Sequence, residues 1–403
     1  MANLRFLTSG ESHGRALTGI IEGIPSGLPI SSADIDMELQ RRQGGYGRGG
    51  RMKIETDHAQ IISGVRRGKT IGSPISLMIE NRDWENWLEV MSPEPGIQRS
   101  GIKDKRGDPV TRPRPGHADL AGALKFDHTD VRNILERSSA RETAMRVGLG
   151  AIAKKFLSAF GITVGSHVIQ IGNQRTALRV IDEEGLARIF EEAERSPVRC
   201  ADAGASKKMM KLIDSATKEG DTLGGVFEVF ATGVPVGLGS HIQWDLKLDG
   251  MLAHAVMSIQ AIKGVEVGLG FTAAGEFGSR VMDEIFYGGA GLRRKGVKFY
   301  RKTNNAGGVE GGMSNGMPII LRAVMKPIPT LRRPLMSVDI RTKKAFAAAY
   351  ERSDVCAVPA AAVVAEAMTA LVLADAFLRK FGGDSVKEVG RNYKSYISYL
   401  NSF

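Results

Sequence analysis

The sequence predicts an α+β fold. Strand-like segments at 74–80, 225–234 and 317–326 are mixed with helix-like segments that begin at Ser31, Ser139, Leu252 and Pro359. They follow no regular strand–helix–strand rhythm, which argues against a doubly wound parallel sheet. With 403 residues, 42% of them hydrophobic, and no clean linker, the chain is expected to form a single domain, residues 1–403, with a sizeable core. No internal repeat is evident.

The elements follow in order. Ser31 with Asp34 reads as a helix cap, and Asp34 and Asp36 suit a first turn. This helix runs through Leu39 and Arg42 and stops at Gly44-Gly45. The loop from Gly44 to Arg51 holds five glycines with Arg48 and Arg51, and is expected to close on a ligand. Met52–Glu55 resumes an ordered alternation, and Pro74–Glu80 reads as a strand. Residues 91–115 form a long polar loop that delivers Arg114 and His117. Ser139-Ala140-Arg141-Glu142 reads as a capping box. Met145, Leu149, Ile152, Phe156 and Phe160 follow at helical spacing, and Gly161 ends the run. Gly148-Leu149-Gly150-Ala151-Ile152-Ala153 mimics a dinucleotide fingerprint, but it sits in mid-helix, where that motif cannot work. The pattern from Leu252 to Ile262 predicts a helix. Pro359 opens the last long helix, closed near Gly382-Gly383. Its most apolar stretch, Val358 to Phe377, carries Glu366 and Asp375 and reads as buried rather than membrane-spanning.

The net charge is +11. A basic balance suits nucleic acid or an acidic small molecule. Only 6% of residues are aromatic and no nucleic-acid-binding motif stands out, so the small molecule is favoured. Cys200 and Cys356 lie far apart and form no CxxC, which indicates neither a zinc site nor a disulfide framework; no metal is expected. The first residues are too quickly polar for a signal peptide. A cytoplasmic location and no membrane partner are expected.

Chemistry concentrates in glycine-rich stretches. Histidine is scarce, 7 in 403 residues, yet His13 and His117 both sit in glycine-flanked turns with arginines nearby. Histidine moves protons near neutral pH, and arginine pairs with carboxylate and phosphate. His13 and His117 are candidate acids. Arg42, Arg48, Arg51, Arg114 and Arg141 are candidate anion clamps. The helix start near Ser138 and Ser139, with Arg137 and Arg141, is a natural anion site. Four glycines within 307–312 favour contact with a flat ligand, and Lys326-Pro327-Ile328-Pro329-Thr330 offers a cation and a hydroxyl in a rigid loop. Asp354 follows Arg352-Ser353 and is a candidate base.

Seven stretches, in order and spanning nearly the whole chain, resemble the chorismate synthase family. They are 10–14 (Gly-Glu-Ser-His-Gly), 41–49 (Arg-Arg-Gln-Gly-Gly-Tyr-Gly-Arg-Gly), 114–119 (Arg-Pro-Gly-His-Ala-Asp), 137–143 (Arg-Ser-Ser-Ala-Arg-Glu-Thr), 259–264 (Ile-Gln-Ala-Ile-Lys-Gly), the run from Asn304 to Gly316, and Arg352-Ser353-Asp354. The loop lengths resemble the longer bacterial form without an appended flavin reductase domain. The resemblance implies helices sandwiched between antiparallel β-sheets and a homotetramer. It implies an anti-1,4-elimination of phosphate from 5-enolpyruvylshikimate 3-phosphate that gives chorismate, the last common step of the shikimate pathway, with reduced FMN required.

By the same resemblance, His13 protonates the departing phosphate, His117 acts at or near the reduced flavin, and Asp354 assists removal of the ring proton. Ser12, Arg42, Arg48, Arg51, Arg114, Arg141 and Arg352 would surround the substrate. Arg137, Ser138, Ser139, Gln260, Ala261, Gly311, Lys326, Pro327, Ile328, Pro329, Thr330 and Arg352 would hold FMN. Arg42 and Arg48 are also associated with NADPH, as an electron source; substrate binding ranks first, because no dinucleotide fold is evident. An external flavin reductant is the implied partner. Two rival classes leave distinct signatures. Another flavin-dependent enzyme acting on a small phosphorylated acid, such as a reductase, would consume NADPH in step with product, and a nucleic-acid-binding protein would lose duplex DNA steeply with added salt.

Overall fold

Two antiparallel sheets enclose a layer of helices. The computed structural model describes residues 4–48, 56–95, 107–288, 298–348 and 354–403. The first sheet holds β1 (Arg5–Ser9), β2 (Ala16–Glu22), β3 (Ala59–Ile61) and β4 (Ile75–Glu80), in the order β1-β2-β4-β3. The second holds β5 (Thr163–Ile171), β6 (Gln174–Arg175), β7 (Gly225–Thr232), β8 (Ile262–Val267) and β9 (Ile319–Met325), in the order β8-β9-β7-β5-β6. The longer helices are α1 (Ser32–Gln43), α2 (Asp119–Phe126), α3 (Arg132–Ser138), α4 (Thr143–Ser158), α5 (Glu183–Arg195), α6 (Ala203–Glu219), α7 (Leu248–Met257), α8 (Val358–Phe381) and α9 (Val386–Ser402).

The two sheets differ in pattern because they differ in cover. In β2 and β4 the buried residues alternate: Leu17 and Ile21 face inward on one strand, and Ile75, Leu77 and Ile79 on the other. That is the period of a sheet with one face packed. β5 is buried almost throughout, since α8 packs on one side and α5 on the other. α4 lies on β2 and β4, α8 lies on β5 and β7, and the two helices pack against each other, so α1, α4 and α8 fill the middle layer.

The expected helix at Ser31 forms, with the Asp34 carboxylate accepting from the Ser31 backbone N–H and hydroxyl at 2.9 and 2.8 Å. The glycines in mid-α4 make room for a neighbour. A Cβ on Gly150 would lie 2.4 Å from the Ala367 Cβ, so this spacing is a notch that lets α4 and α8 cross closely. Helix α8 is long and apolar enough to cross a membrane by composition, but 89% of its most apolar window is buried inside the protein.

Three expectations need correction. Ser139 does not form a capping box with Glu142. Its hydroxyl accepts from the Arg141 N–H and opens a single turn at Ala140–Glu142, while the Glu142 carboxylate turns away to Thr8, Arg146 and Gln260. The helix expected from Leu252 to Ile262 lies earlier, at Leu248–Met257. Ala261 has φ +65°, and Ile262 already pairs with Met325 in the second sheet. The helix opened by Val358-Pro359 is not the last, because α9 follows it, capped by Ser385.

One buried polar network ties the middle layer together. Glu366 on α8 is fully buried and accepts from Arg41 at 2.7 and 2.9 Å, Lys154 at 2.8 Å, Ser166 at 2.5 Å and Arg199 at 3.1 Å. Burial pushes this carboxyl up, but the charges of Arg41, Lys154 and Arg199 outweigh burial and hold it well below the usual carboxylate range. Both cysteines are buried and free, and burial raises each thiol to about 11, which leaves them unreactive.

Candidate active site

The candidate residues gather in three groups joined by short links. The first group surrounds His13, in the turn between β1 and β2. Gly10 makes this turn possible: it has φ +100°, and a Cβ there would sit 2.4 Å from the Ala16 carbonyl oxygen. Consecutive residues of α3 then grip the turn from both ends. Arg137 donates to the carbonyls of Thr8 and Gly10 at 2.8 and 3.0 Å. Glu136 accepts the His13 N–H at 2.8 Å and bonds the His13 Nδ1 at 2.8 Å. The indole of Trp87 stacks on the imidazole, with centroids 3.8 Å apart. Ser139 donates to the Ser12 hydroxyl at 3.2 Å, which ties this turn to the residues that open α4.

Arg42, at the end of α1, reaches the same place and donates to the Thr143 hydroxyl at 3.0 Å and to the Ala140 carbonyl at 2.9 Å. Arg141 donates to Asp57 at 2.5 Å, and Arg42 lies 3.6 Å from the other oxygen of that carboxylate. Two guanidinium groups thus share one carboxylate, and the pocket keeps a net positive charge that suits an anion. Ser138 is turned away, its hydroxyl donating to the Ile134 carbonyl at 2.8 Å.

The second group surrounds His117. Asp119, the first residue of α2, is buried and accepts three bonds from Arg114, one from the backbone at 3.0 Å and two from the side chain at 2.9 and 3.1 Å. The His117 Nδ1 lies 2.5 Å from the same carboxylate. Burial pushes Asp119 up, but hydrogen bonds from His117 and Arg114 prevail and hold it well below the usual carboxylate range. Arg114 also donates to the Thr330 hydroxyl at 3.2 Å, and Lys326 donates to the Gly116 carbonyl, so the Lys326–Thr330 segment lies against this turn. Burial, and then the charge of Lys263, push the Lys326 ammonium below its ordinary value. Like charges held close favour an anion between them.

The third group is Arg48 with Asp354, whose Nε and Oδ2 lie 3.3 Å apart. Asp354 does not cap α8, whose N-cap is Ala357. Arg51 and Arg352 lie outside the described residues.

Short links join the groups. Gln260 donates to Glu142 at 3.1 Å, next to the first group, while the Ala261 carbonyl accepts from Lys326 at 2.9 Å, in the second. The Gln260 Oε1 is buried without a hydrogen-bond partner among the described residues. The Thr222 hydroxyl donates to the Ile328 carbonyl at 2.7 Å and the Leu223 N–H to the Val355 carbonyl at 2.9 Å, which joins the second group to the third. A cavity of about 520 Å³ opens beside the first link, with Thr8, Arg137, Glu142 and Arg146 in its wall.

Gly311 stands apart. It lies at the tip of a hairpin, Val309–Glu310 with Met313–Ser314, whose Gly312 carbonyl accepts from Leu248 at the start of α7. Gln260 lies past the other end of that helix, roughly 15 Å away at 1.5 Å per residue. Sequence reasoning missed Glu136, Asp57 and Trp87, and left Asp119 without a role. Only Glu136 carried a local signal, as an acid directly before the basic stretch at Arg137.

The sequence profile of the family described as "Chorismate synthase" matches residues 4–378. A chorismate synthase of Geobacter sulfurreducens is 60% identical over 401 residues, covering 99% of this chain and 100% of that protein. One of Aquifex aeolicus is 56% identical over 406 residues, covering 99% of each. A solved structure described as "Crystal Structure of Chorismate Synthase" superposes with a TM-score of 0.78 at 46% identity, covering 99% of both chains. With its sandwich of helices between antiparallel sheets and its arginine-flanked histidines, the chain belongs to the chorismate synthase family, a family of lyases.

Proposed function

We propose that this chain eliminates phosphate from 5-enolpyruvylshikimate 3-phosphate to give chorismate, with reduced FMN as its flavin. The observation that carries the proposal is a pair of histidines, each held by a buried carboxylate and flanked by arginines. The substrate bears two carboxylates and a phosphate monoester of about −1.5 to −2 charge. Arg42 and Arg141, with Asp57 between them, suit its anionic groups, and Arg48 and Arg114 extend the positive wall. Arg51 and Arg352 complete the proposed set by family resemblance. Ser12 adds a hydroxyl beside Ser139.

His13 donates a proton to the departing phosphate from its ring. His117 holds a proton near the flavin site, and Asp354 takes up at its carboxylate the proton that leaves the substrate ring, which balances the one His13 gives up. Residues present suit a flavin: the unpartnered Gln260 oxygen can accept from a ring N–H, and Lys326 with Lys263 favours anionic groups. Arg137, Ser139, Ala261 and Pro327 to Thr330 would line that site, with Ser138 through its backbone and Gly311 assigned by resemblance alone. Bound and reduced, the flavin supplies an electron-rich ring beside the substrate, with no net redox change. NADPH, through an external flavin reductant, is the proposed electron source; Arg42 and Arg48 are assigned to substrate first, since no dinucleotide-binding fold is evident in the chain.

A cytoplasmic homotetramer is part of the proposal. Exposed apolar side chains at Trp244, Phe271, Phe277 and Met282 support a subunit contact. The decisive experiment is an anaerobic assay with 5-enolpyruvylshikimate 3-phosphate and reduced FMN, following phosphate and chorismate. Product is expected without net flavin oxidation. Equal phosphate release with oxidised flavin, or with none, would overturn the proposal.

Asp354→Asn separates proton removal from packing. The variant keeps shape and loses charge, so substrate and flavin affinities are expected to hold while turnover drops. Asp354 makes no helix cap, so only a small stability change is expected. A loss of about 0.5–2 kcal/mol with normal turnover would instead point to a structural role.

A further inference from the structure

We propose that Glu136 is the positioning residue for His13: its carboxylate keeps a proton on Nδ1 and so presents Nε2 as the nitrogen that exchanges a proton with substrate. This rests on reading His13 as a proton donor. The His13 Nδ1 lies 2.8 and 3.0 Å from the two Glu136 oxygens. An ionised carboxylate only accepts, so Nδ1 must carry a hydrogen in both the charged and the neutral ring. The proton that leaves the charged ring is then the one on Nε2, across the ring.

The grip is chelating. One Glu136 oxygen also takes the His13 backbone N–H at 2.8 Å, and the Glu136 carbonyl takes the Ser12 N–H at 3.0 Å. Glu136 is 1% exposed, so water does not compete for these bonds. Trp87 closes one face of the imidazole, its planes 23° apart, and is itself anchored by Asp83 at 3.0 Å. Arg132 lies 3.9 Å from Glu136 and over the Trp87 ring, balancing the buried charge. Asp119 repeats the arrangement at His117, but there Arg114 shares the carboxylate. At His13 the hydrogen bonds of the carboxylate go to one residue, ring and backbone together, with Arg132 held at ion-pair distance.

The test is a double-mutant cycle with a spectroscopic arm, on the full-length protein. Glu136→Gln keeps size and an acceptor oxygen and guards against misfolding of Glu136→Ala. Each is expected to lower kcat at least about 10- to 100-fold, by analogy with the outer carboxylates that orient metal-bound histidines. Substrate KM should stay within about twofold. In the His13→Ala background, the Glu136 substitutions should cost little further turnover, since the effect of Glu136 on the reaction passes through that ring while its bond to the backbone N–H is structural. In ¹⁵N-labelled protein, the His13 ring signals, assigned by their loss in His13→Ala, should report Nδ1–H in the wild type and a shift toward Nε2–H in Glu136→Ala.

Additive losses in the cycle, or a wild-type ring protonated on Nε2 alone when neutral, would overturn the proposal. Normal turnover in His13→Ala would overturn the acid reading of His13 instead, and the ring signals would still decide the role of Glu136.

Discussion

Replacing His13 with Ala is expected to lower turnover by roughly 10²–10⁴-fold, the range for loss of a general acid. The fold should survive at a measurable cost. The buried Glu136 loses its ring partner, and a hydrogen bond to a charged group contributes about 1.5–3 kcal/mol. His117→Ala should lose turnover in the same range with less destabilisation, because Asp119 keeps all three bonds from Arg114. Phosphate release per folded molecule, with urea unfolding of the same samples, measures both quantities. If both variants keep near-normal rates while folded, neither histidine is an acid of this reaction.

Glu366→Ala is expected to produce the largest stability loss, about 3–5 kcal/mol, because it removes the acid from a buried cluster of cations. Among the described residues, Arg41, Lys154 and Arg199 would keep only Glu38 and Glu194 as acidic partners. The pH dependence has a definite sign. The folded-state value of Glu366 lies below its unfolded value of about 4.3, so its contribution is complete above that pH and is lost as pH falls through and below it. The wild type should therefore weaken as pH falls below about 5, and Glu366→Ala should show a shallower acid limb. A midpoint change worth less than about 1 kcal/mol at neutral pH would show that the cluster is dispensable.

What the sequence reveals depends on how local the signal is. The start of α1 is written in Ser31 and Asp34, and α8 is announced by Pro359 and closed by Gly382. The start of α9 carried an equally local signal, Ser385 with Glu388, that went unread. β5 hides its strand character because both faces are buried, so it shows no alternation. In the site, His13, Arg42 and Arg114 stand out through glycine-rich surroundings, and Arg141 through its place at a helix start. Their partners do not. Asp57 meets Arg141 across 84 residues and Trp87 meets His13 across 74, and no local pattern encodes such pairings. Asp119 was in plain view two residues from His117, yet only folding puts its carboxylate on both Arg114 and His117.

Arg41 and Arg42 are neighbours with different duties. One joins the Glu366 cluster and the other reaches the Ala140 carbonyl and Asp57. Successive residues on a helix point about 100° apart, so the last turn of α1 is a crank with one arm in the core and one in the proposed substrate pocket. Efforts to make this protein more heat-tolerant by replacing the ionic cluster with apolar side chains will turn that crank. A variant chosen for a higher Tm should therefore pair gained robustness with weakened substrate capture, so selection on melting alone would discard working enzymes in favour of rigid, slower ones.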